Sequence, residues 1–309
     1  MSIKHPGRRD CLDNYFSIDT LKTRLLDCYI CIVKYKSNLS KEERLLDQYL
    51  GFIKTISTRF WSDQHIKLFP FPVRGGSIEN ISVINNQVLG KRAEAFFAAM
   101  ISNSQGYRLR ASQIQLIHNG ITEGEIDFVV EQNATNKLFH VELAYKFYLL
   151  DKAISDHQAK WVGPNRRDSL KRKWMKLKEV QFSKLYSPTA AKVLNERGFE
   201  NVTFQQSLCM PLQLFIPFGE SKSSMGKLSP CFSGRWISFS EFTRRKWNDF
   251  AFFIPEKEDW FVNPAKCEIW MSIAEIIPVL AKKIVSFRSP MVWIKPKYTL
   301  PKRMFITYW

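Results

Sequence analysis

The chain has no apolar run of about 18 residues, the length a membrane-spanning helix needs, and its opening stretch MSIKHPGRRDCLDNYFSIDT has no hydrophobic segment of the secretory-signal kind. A cytoplasmic protein with no membrane partner is the expectation. Cysteine is sparse, with six in 309 residues, so a disulfide framework is not expected. Cys28 and Cys31 form a lone C-x-x-C within a stretch of helical pattern, without the second pair or nearby His of a zinc set. They read as buried structural thiols. Repeats at a fixed period are missing. Acidic residues are in deficit too: 29 Asp and Glu against 46 Lys and Arg leave a formal charge of +17. That field favours a polyanionic partner.

What the chain does have is apolar bulk, 45% by composition, enough to bury a substantial core. Residues 1–80 read as a helical N-terminal extension, in which SKEERLLDQYLGFIKTISTRF shows helical spacing behind a Ser/Glu capping box. PFPVRGGS, residues 70–77, is a connector punctuated by proline and glycine. From about residue 85 the pattern becomes a mixed α/β order of α-β-β-β-α-β. Its parts are a helix over NNQVLGKRAEAFFAAMISNS, strands over RLRASQIQLI, EIDFVV and LFHVELAYKFYLL, a long helix from Asp168 as N-cap to Tyr186, and a buried strand over QSLCMPLQLFIPF. This core is assigned to residues 85–217. Beyond the polar loop 219–230, residues 231–309 form a mixed C-terminal region holding six of the nine tryptophans.

The segment FHVELAYKFYLL, residues 139–150, concentrates the chemistry. As one strand it turns Phe139, Val141, Leu143, Tyr145 and Phe147 to one face and His140, Glu142, Ala144 and Lys146 to the other. GEIDFVV alternates likewise, with Glu125 and Asp127 opposed to Ile126, Phe128 and Val130. Neighbouring strands lie about 4.8 Å apart, so Asp127 and Glu142 are placed to share a divalent cation whose shell is completed by water and substrate phosphate. Lys146 lies roughly 13 Å along an ideal strand from Glu142, against roughly 6.6 Å for Ala144, so only a bulge or strand end near Tyr145 brings its amine in. The alternative is a network of ion pairs at a sheet edge. Five polar groups on one parity, which are costly to bury without a ligand, weigh against it.

GEIDFVV followed by FHVE resembles the core of the PD-(D/E)XK nuclease superfamily. LGKRAEAFF, YRLRASQIQL, GEIDFVV, HVELAYKFYL and WVGPNRRDSLKRKW together resemble a bacterial family of unknown function with the same strands and a GP-x-x-RD segment. The resemblance implies a restriction-endonuclease-like core with a mixed central sheet and a Mg²⁺ (or Mn²⁺) cofactor. It also implies metal-binding roles for Asp127, Glu142 and Glu94, and Lys146 as the catalytic lysine. The signature here reads E-L-A-Y-K, with Ala144 where the lysine is expected.

Between Lys160 and Tyr186 nine basic residues face two acidic ones. Arg166, Arg167, Lys171, Lys173 and Lys176 are the candidates for contact with a nucleic-acid backbone, against the plainer reading of a solvated lysine face. The last 29 residues add seven basic groups and no acid, interleaved with aromatics that suit either a core or base stacking. The leading expectation is a Mg²⁺-dependent nuclease acting on DNA, with RNA the second choice. A catalytically inactive nucleic-acid-binding module is the alternative, and a protein-interaction domain with an internal salt-bridge network is the third reading.

Overall fold

Two apolar segments that read as single strands are each broken in the middle, and the breaks lie side by side. The segment 137–150 is two strands, β4 (Lys137–Leu143) and β5 (Lys146–Leu150), and 204–217 is likewise β7 (Phe204–Cys209) and β8 (Leu212–Pro217). In each pair the halves belong to different sheets. Pro211 has no N–H with which to continue a ladder. The two segments instead bond each other across the gap, Ala144 N–H to the Cys209 carbonyl (2.9 Å) and Lys146 N–H to the Pro211 carbonyl (3.4 Å). The unbroken strands expected over 139–150 and 206–218 are thereby corrected.

The computed structural model describes residues 40–56, 66–70, 88–262, 264 and 270–309. The Cys28–Cys31 pair and nearly all of the 70–77 connector lie outside these. The remaining elements are α1 (Lys41–Ile56), β1 (Lys67–Leu68), α2 (Leu89–Ser102), β2 (Tyr107–His118), β3 (Ile121–Gln132), β6 (Trp161–Val162), α3 (Leu170–Met175), α4 (Pro188–Asn195), β9 (Phe232–Ser238), α5 (Phe239–Arg244), β10 (Phe250–Phe253), α6 (Ile273–Val285), β11 (Met291–Pro296) and β12 (Lys302–Thr307). The first sheet has the order β1-β7-β4-β3-β2 and the second β10-β11-β12-β9-β8-β5-β6. Both mix parallel and antiparallel pairs, so the class is mixed α/β. Residues 231–309 supply four of the seven strands of the second sheet.

One aromatic-rich core spans both sheets. It joins Tyr49 and Phe52 of α1, Phe96 and Phe97 of α2, Phe128 and Phe139 of the first sheet, and Phe215 and Phe305 of the second. Tyr145, at the strand break, touches rings from three directions: Phe52 (5.9 Å between centroids), Phe147 (5.4 Å) and Phe261 (4.8 Å). The opposite face of the first sheet packs on α4. That of the second is covered at one end by Leu170, Trp174 and Leu177 and at the other by α5 and α6.

The helix expected from Asp168 to Tyr186 is three unlike turns. Ser169, not Asp168, is the N-cap, accepting from Arg172 N–H. A six-residue α-helix then loosens to a π-helix over Lys176–Gln181 and tightens to a 3₁₀-helix over Phe182–Tyr186. Such π segments recur at functional sites, because the extra residue re-aims a side chain.

The capping box expected at Ser40 forms, with Ser40 N–H donating to Glu43 Oε2 and Glu43 N–H to Ser40 Oγ. Arg44 and Gln48 both donate to Asp259 (2.8 Å each), tying α1 to the segment containing Phe261. A Cβ built on Gly51, in the middle of α1, falls 2.1 Å from the Phe261 carbonyl oxygen. Glycine is unfavourable inside a helix by about 1 kcal/mol relative to alanine, so its presence here reflects close approach. Gly51→Ala should therefore destabilise the protein by about 1 to 3 kcal/mol, the overpacking cost, despite its better helix propensity. Urea unfolding measures this, and a stabilised variant would refute the close docking of α1.

Candidate active site

The β3–β4 ladder ends at the pair Phe128–Val141. One step further the register sets Asp127 opposite Glu142, and the strands part. In place of a ladder bond, Asp127 Oδ2 accepts the Leu143 N–H at 2.8 Å. On its other side Asp127 meets an irregularity in β2, where Gln113 takes a left-handed φ of 52°. This kink interrupts the expected alternation: Phe128 and Val130 pack in the large aromatic core, whereas Ile126 joins Val129, Ile114 and Leu116 beneath α4. The aspartate sits where β3 is released from both neighbours.

Glu142 is fully buried. His140 Nε2 lies 2.9 Å from its Oε1, and Gln181 Nε2 donates to its Oε2 at 2.6 Å. Gln181 is the last residue of the π-helix, and its Oε1 accepts from Lys173 Nζ at 2.7 Å. The chain Lys173–Gln181–Glu142 thus carries an amine from α3 to the carboxyl on β4. Two further acids stand nearby: Lys91 Nζ of α2 contacts Glu94 (2.7 Å) and Glu125 (3.3 Å), and Gln113 Nε2 of β2 donates to Glu94 Oε2 (2.8 Å).

Burial, and then the neighbouring charge of Glu142, pushes Asp127 up to about 8. Burial likewise lifts Glu142 to about 7, opposed by the Lys173 ammonium. Two buried carboxyls this close do not both ionise readily, and each charge holds the proton on the other. Burial drives His140 down to about 4, leaving it neutral at physiological pH. It also lowers the Lys173 amine, helped by repulsion from Lys146.

Beside the pair opens a cleft of about 480 Å³ whose wall includes Glu94, Ala144, Lys146, Asp168 and Lys173. Asp127 and Glu142, 9% and 0% exposed, adjoin this cleft through Leu143 and Lys173 rather than facing it openly. The strand break needed to bring Lys146 towards the acids is present, yet its Nζ binds Asp168 Oδ2 at 3.0 Å. Asp127, Glu142 and Glu94 are brought into electrostatic contact. Among the described residues, however, no three His, Cys, Asp or Glu side chains gather tightly enough to hold a metal unaided.

The basic candidates divide. Arg166 pairs with Asp151 and lies 4.0 Å over the Trp309 ring, Lys171 pairs with Asp156 at 2.6 Å, and Lys173 turns inward. Arg167 and Lys176 remain exposed, together with Arg172 and Lys178. Sequence reasoning counted Lys173 with the surface lysines and Asp168 as a cap, and it missed Gln181. A signal for Lys173 existed: it lies three residues after Leu170 and four before Leu177, on the buried stripe of its helix. Nothing in the local pattern announced the π turn that aims Gln181.

The sign of the pH dependence follows from the raised carboxyls. In the unfolded chain both ionise near pH 4, while in the folded protein they keep protons to about 8 and 7. The native state then binds more protons over that window, and stability falls as pH rises through it. Asp127→Asn keeps an acceptor for Leu143 N–H and removes the charge. In a chelating buffer it should be more stable than the parent at pH 9, by an amount on the order of a few kcal/mol, and lose that advantage towards pH 4. Urea titrations at the two pH values decide; an advantage that does not vary with pH would contradict the buried pair.

No curated protein and no solved structure matches the chain. Residues 76–302, which include both carboxylates and most of the two sheets, match the family described as Domain of unknown function (DUF1853), and the chain belongs to that family.

Proposed function

We propose that the protein is a Mg²⁺-dependent (or Mn²⁺-dependent) nuclease that hydrolyses phosphodiester bonds of DNA, with RNA the second choice, in the cytoplasm. On this reading its first sheet and flanking helices are the restriction-endonuclease-like core of a PD-(D/E)XK superfamily member. The observation that carries the proposal is the buried Asp127–Glu142 pair on adjacent strands with the Lys173 amine linked to it through Gln181. Two like charges held together out of water are unfavourable in isolation, and a site that receives a cation is one that keeps them.

The donor set suits a hard cation. Asp127 and Glu142 would bind through oxygen, with Glu94 beside them, and two carboxylates suffice for Mg²⁺ when water and phosphate complete the shell. Such a bound cation supplies an acidified water and neutralises charge on the phosphate. The chain's own contribution is positional. Lys173, held on Gln181 and with its amine lowered by burial, would donate a hydrogen bond to a phosphate oxygen and offset the charge that develops there. Lys146, steadied by Asp168 on the cleft wall, adds a second positive charge. Arg167, Arg172, Lys176 and Lys178 extend that charge along the surface where a backbone would run. Ala144 at the usual lysine position favours a second reading, a non-cleaving nucleic-acid-binding module.

Incubation with plasmid, single-stranded DNA and RNA in Mg²⁺ or Mn²⁺ separates the two. Cleavage should fall by about 100-fold or more in Asp127→Asn, Glu142→Gln and Lys173→Met, and less in Lys146→Ala. Cleavage undiminished in Asp127→Asn would overturn the nuclease reading; binding without turnover would establish the module. In either case, alanine at Arg167 and Lys176 should weaken binding and flatten its dependence on salt, by about 1 in log–log slope for each phosphate the variant no longer neutralises.

A further inference from the structure

At the end of the second sheet away from β5, strands β9 to β12 wall a cavity of about 450 Å³. Its lining carries Arg235, Lys302 and Arg303 and no acidic residue. Arg303 is the unusual member. Its Nη2 donates to Gln213 Oε1 at 2.9 Å, an oxygen that also accepts from Ser233 Oγ at 2.9 Å. Gln213 is completely buried, so the guanidinium is held from behind by a fixed neutral group. Its carbon stands 5.8 Å from the centroids of both the Phe215 and Trp293 rings.

Among the described residues no carboxylate pairs with Arg303. A guanidinium has five N–H donors in a fork that matches phosphate or carboxylate, and Gln213 accounts for one. Desolvating such a cation without a counter-charge is costly. The same cavity is lined by Trp293, whose buried indole N–H has no partner among the described residues, and by Phe232, Trp247 and Phe250. Flat apolar rings beside an uncompensated cation suit a ligand that is planar at one end and anionic at the other. The volume is in the range of a small-molecule site.

We infer that this cavity binds a nucleotide unit, its phosphate on Arg303 and Lys302 and its base against the aromatic wall. The inference does not rest on the nuclease reading. A free nucleoside monophosphate and the phosphorylated end of a nucleic-acid strand present the same chemistry, and affinity distinguishes them.

The test is calorimetric titration in chelator with adenosine monophosphate, a 5′-phosphorylated single-stranded trinucleotide and inorganic phosphate. The expected result is binding of one of the first two, at least tenfold tighter than inorganic phosphate. It should be weakened tenfold or more by Arg303→Gln and several-fold by Lys302→Ala, and be unaffected by Asp127→Asn. Lys302 is exposed, so its variant keeps the test valid should Arg303→Gln fail to fold. Tighter binding of the trinucleotide identifies a strand end, and tighter binding of the monophosphate a free nucleotide. Absence of binding to the folded parent up to millimolar ligand, equal affinity for inorganic phosphate, or binding that Lys302→Ala and Arg303→Gln both leave intact would overturn the inference.

Discussion

The pair of backbone bonds from Ala144 N–H to Cys209 and from Lys146 N–H to Pro211 is the constraint on which the rest of the architecture depends. Where two neighbouring parallel strands leave one sheet together and enter another, neither is left with a row of unpaired groups at the crossing. The crossing lets one aromatic core run across both sheets. It also ends the pairing of β3 with β4 just where Asp127 and Glu142 stand. Had β4 and β5 been one straight strand, the Leu143 N–H would have been free to bond a neighbouring backbone rather than the Asp127 carboxylate.

The acids are tolerated there because the field around them is distributed over several elements. Lys173 approaches from α3 through Gln181, Lys91 from α2 through Glu94 and Glu125, and His140 stays neutral against Glu142. None of these forms a full ion pair with the central carboxyls, which is why burial dominates and the pair retains protons. Direct salt bridges would have stabilised the charged state and left little for a ligand to gain. On the proposed reading a cation would displace the protons of this pair, so pH and cation concentration would act on the same groups.

Much of this was legible in the residues. The hairpin from GEIDFVV to FHVE is local, so its pairing and the approach of Asp127 to Glu142 follow from alternation and a short connection. The Ser40 cap and α2 follow from helical spacing. The crossing was not legible, because Leu143-Ala144-Tyr145-Lys146 contains no proline or glycine to mark a break; the one cue, Pro211, lies in the neighbouring segment 204–217. Gln113 is equally opaque, since glutamine has no preference for the left-handed conformation it takes between two regularly paired neighbours. Lys173 was misplaced because a count of charges ignores which face of the helix each one occupies.

The crossing also accounts for Ala144. This residue is buried with Tyr148, Leu208, Met210 and Leu212 in the core beneath α3, so its side chain belongs to the packing of the second sheet. Although Ala144 also reaches the cleft wall, a longer charged side chain would start among these apolar groups, at the cost of burying part of it. The amine that is hydrogen-bonded towards the pair comes instead from the element that covers it. That element is α3 with its π-helical extension, where Lys173 and Gln181 stand eight residues apart and are bonded to each other.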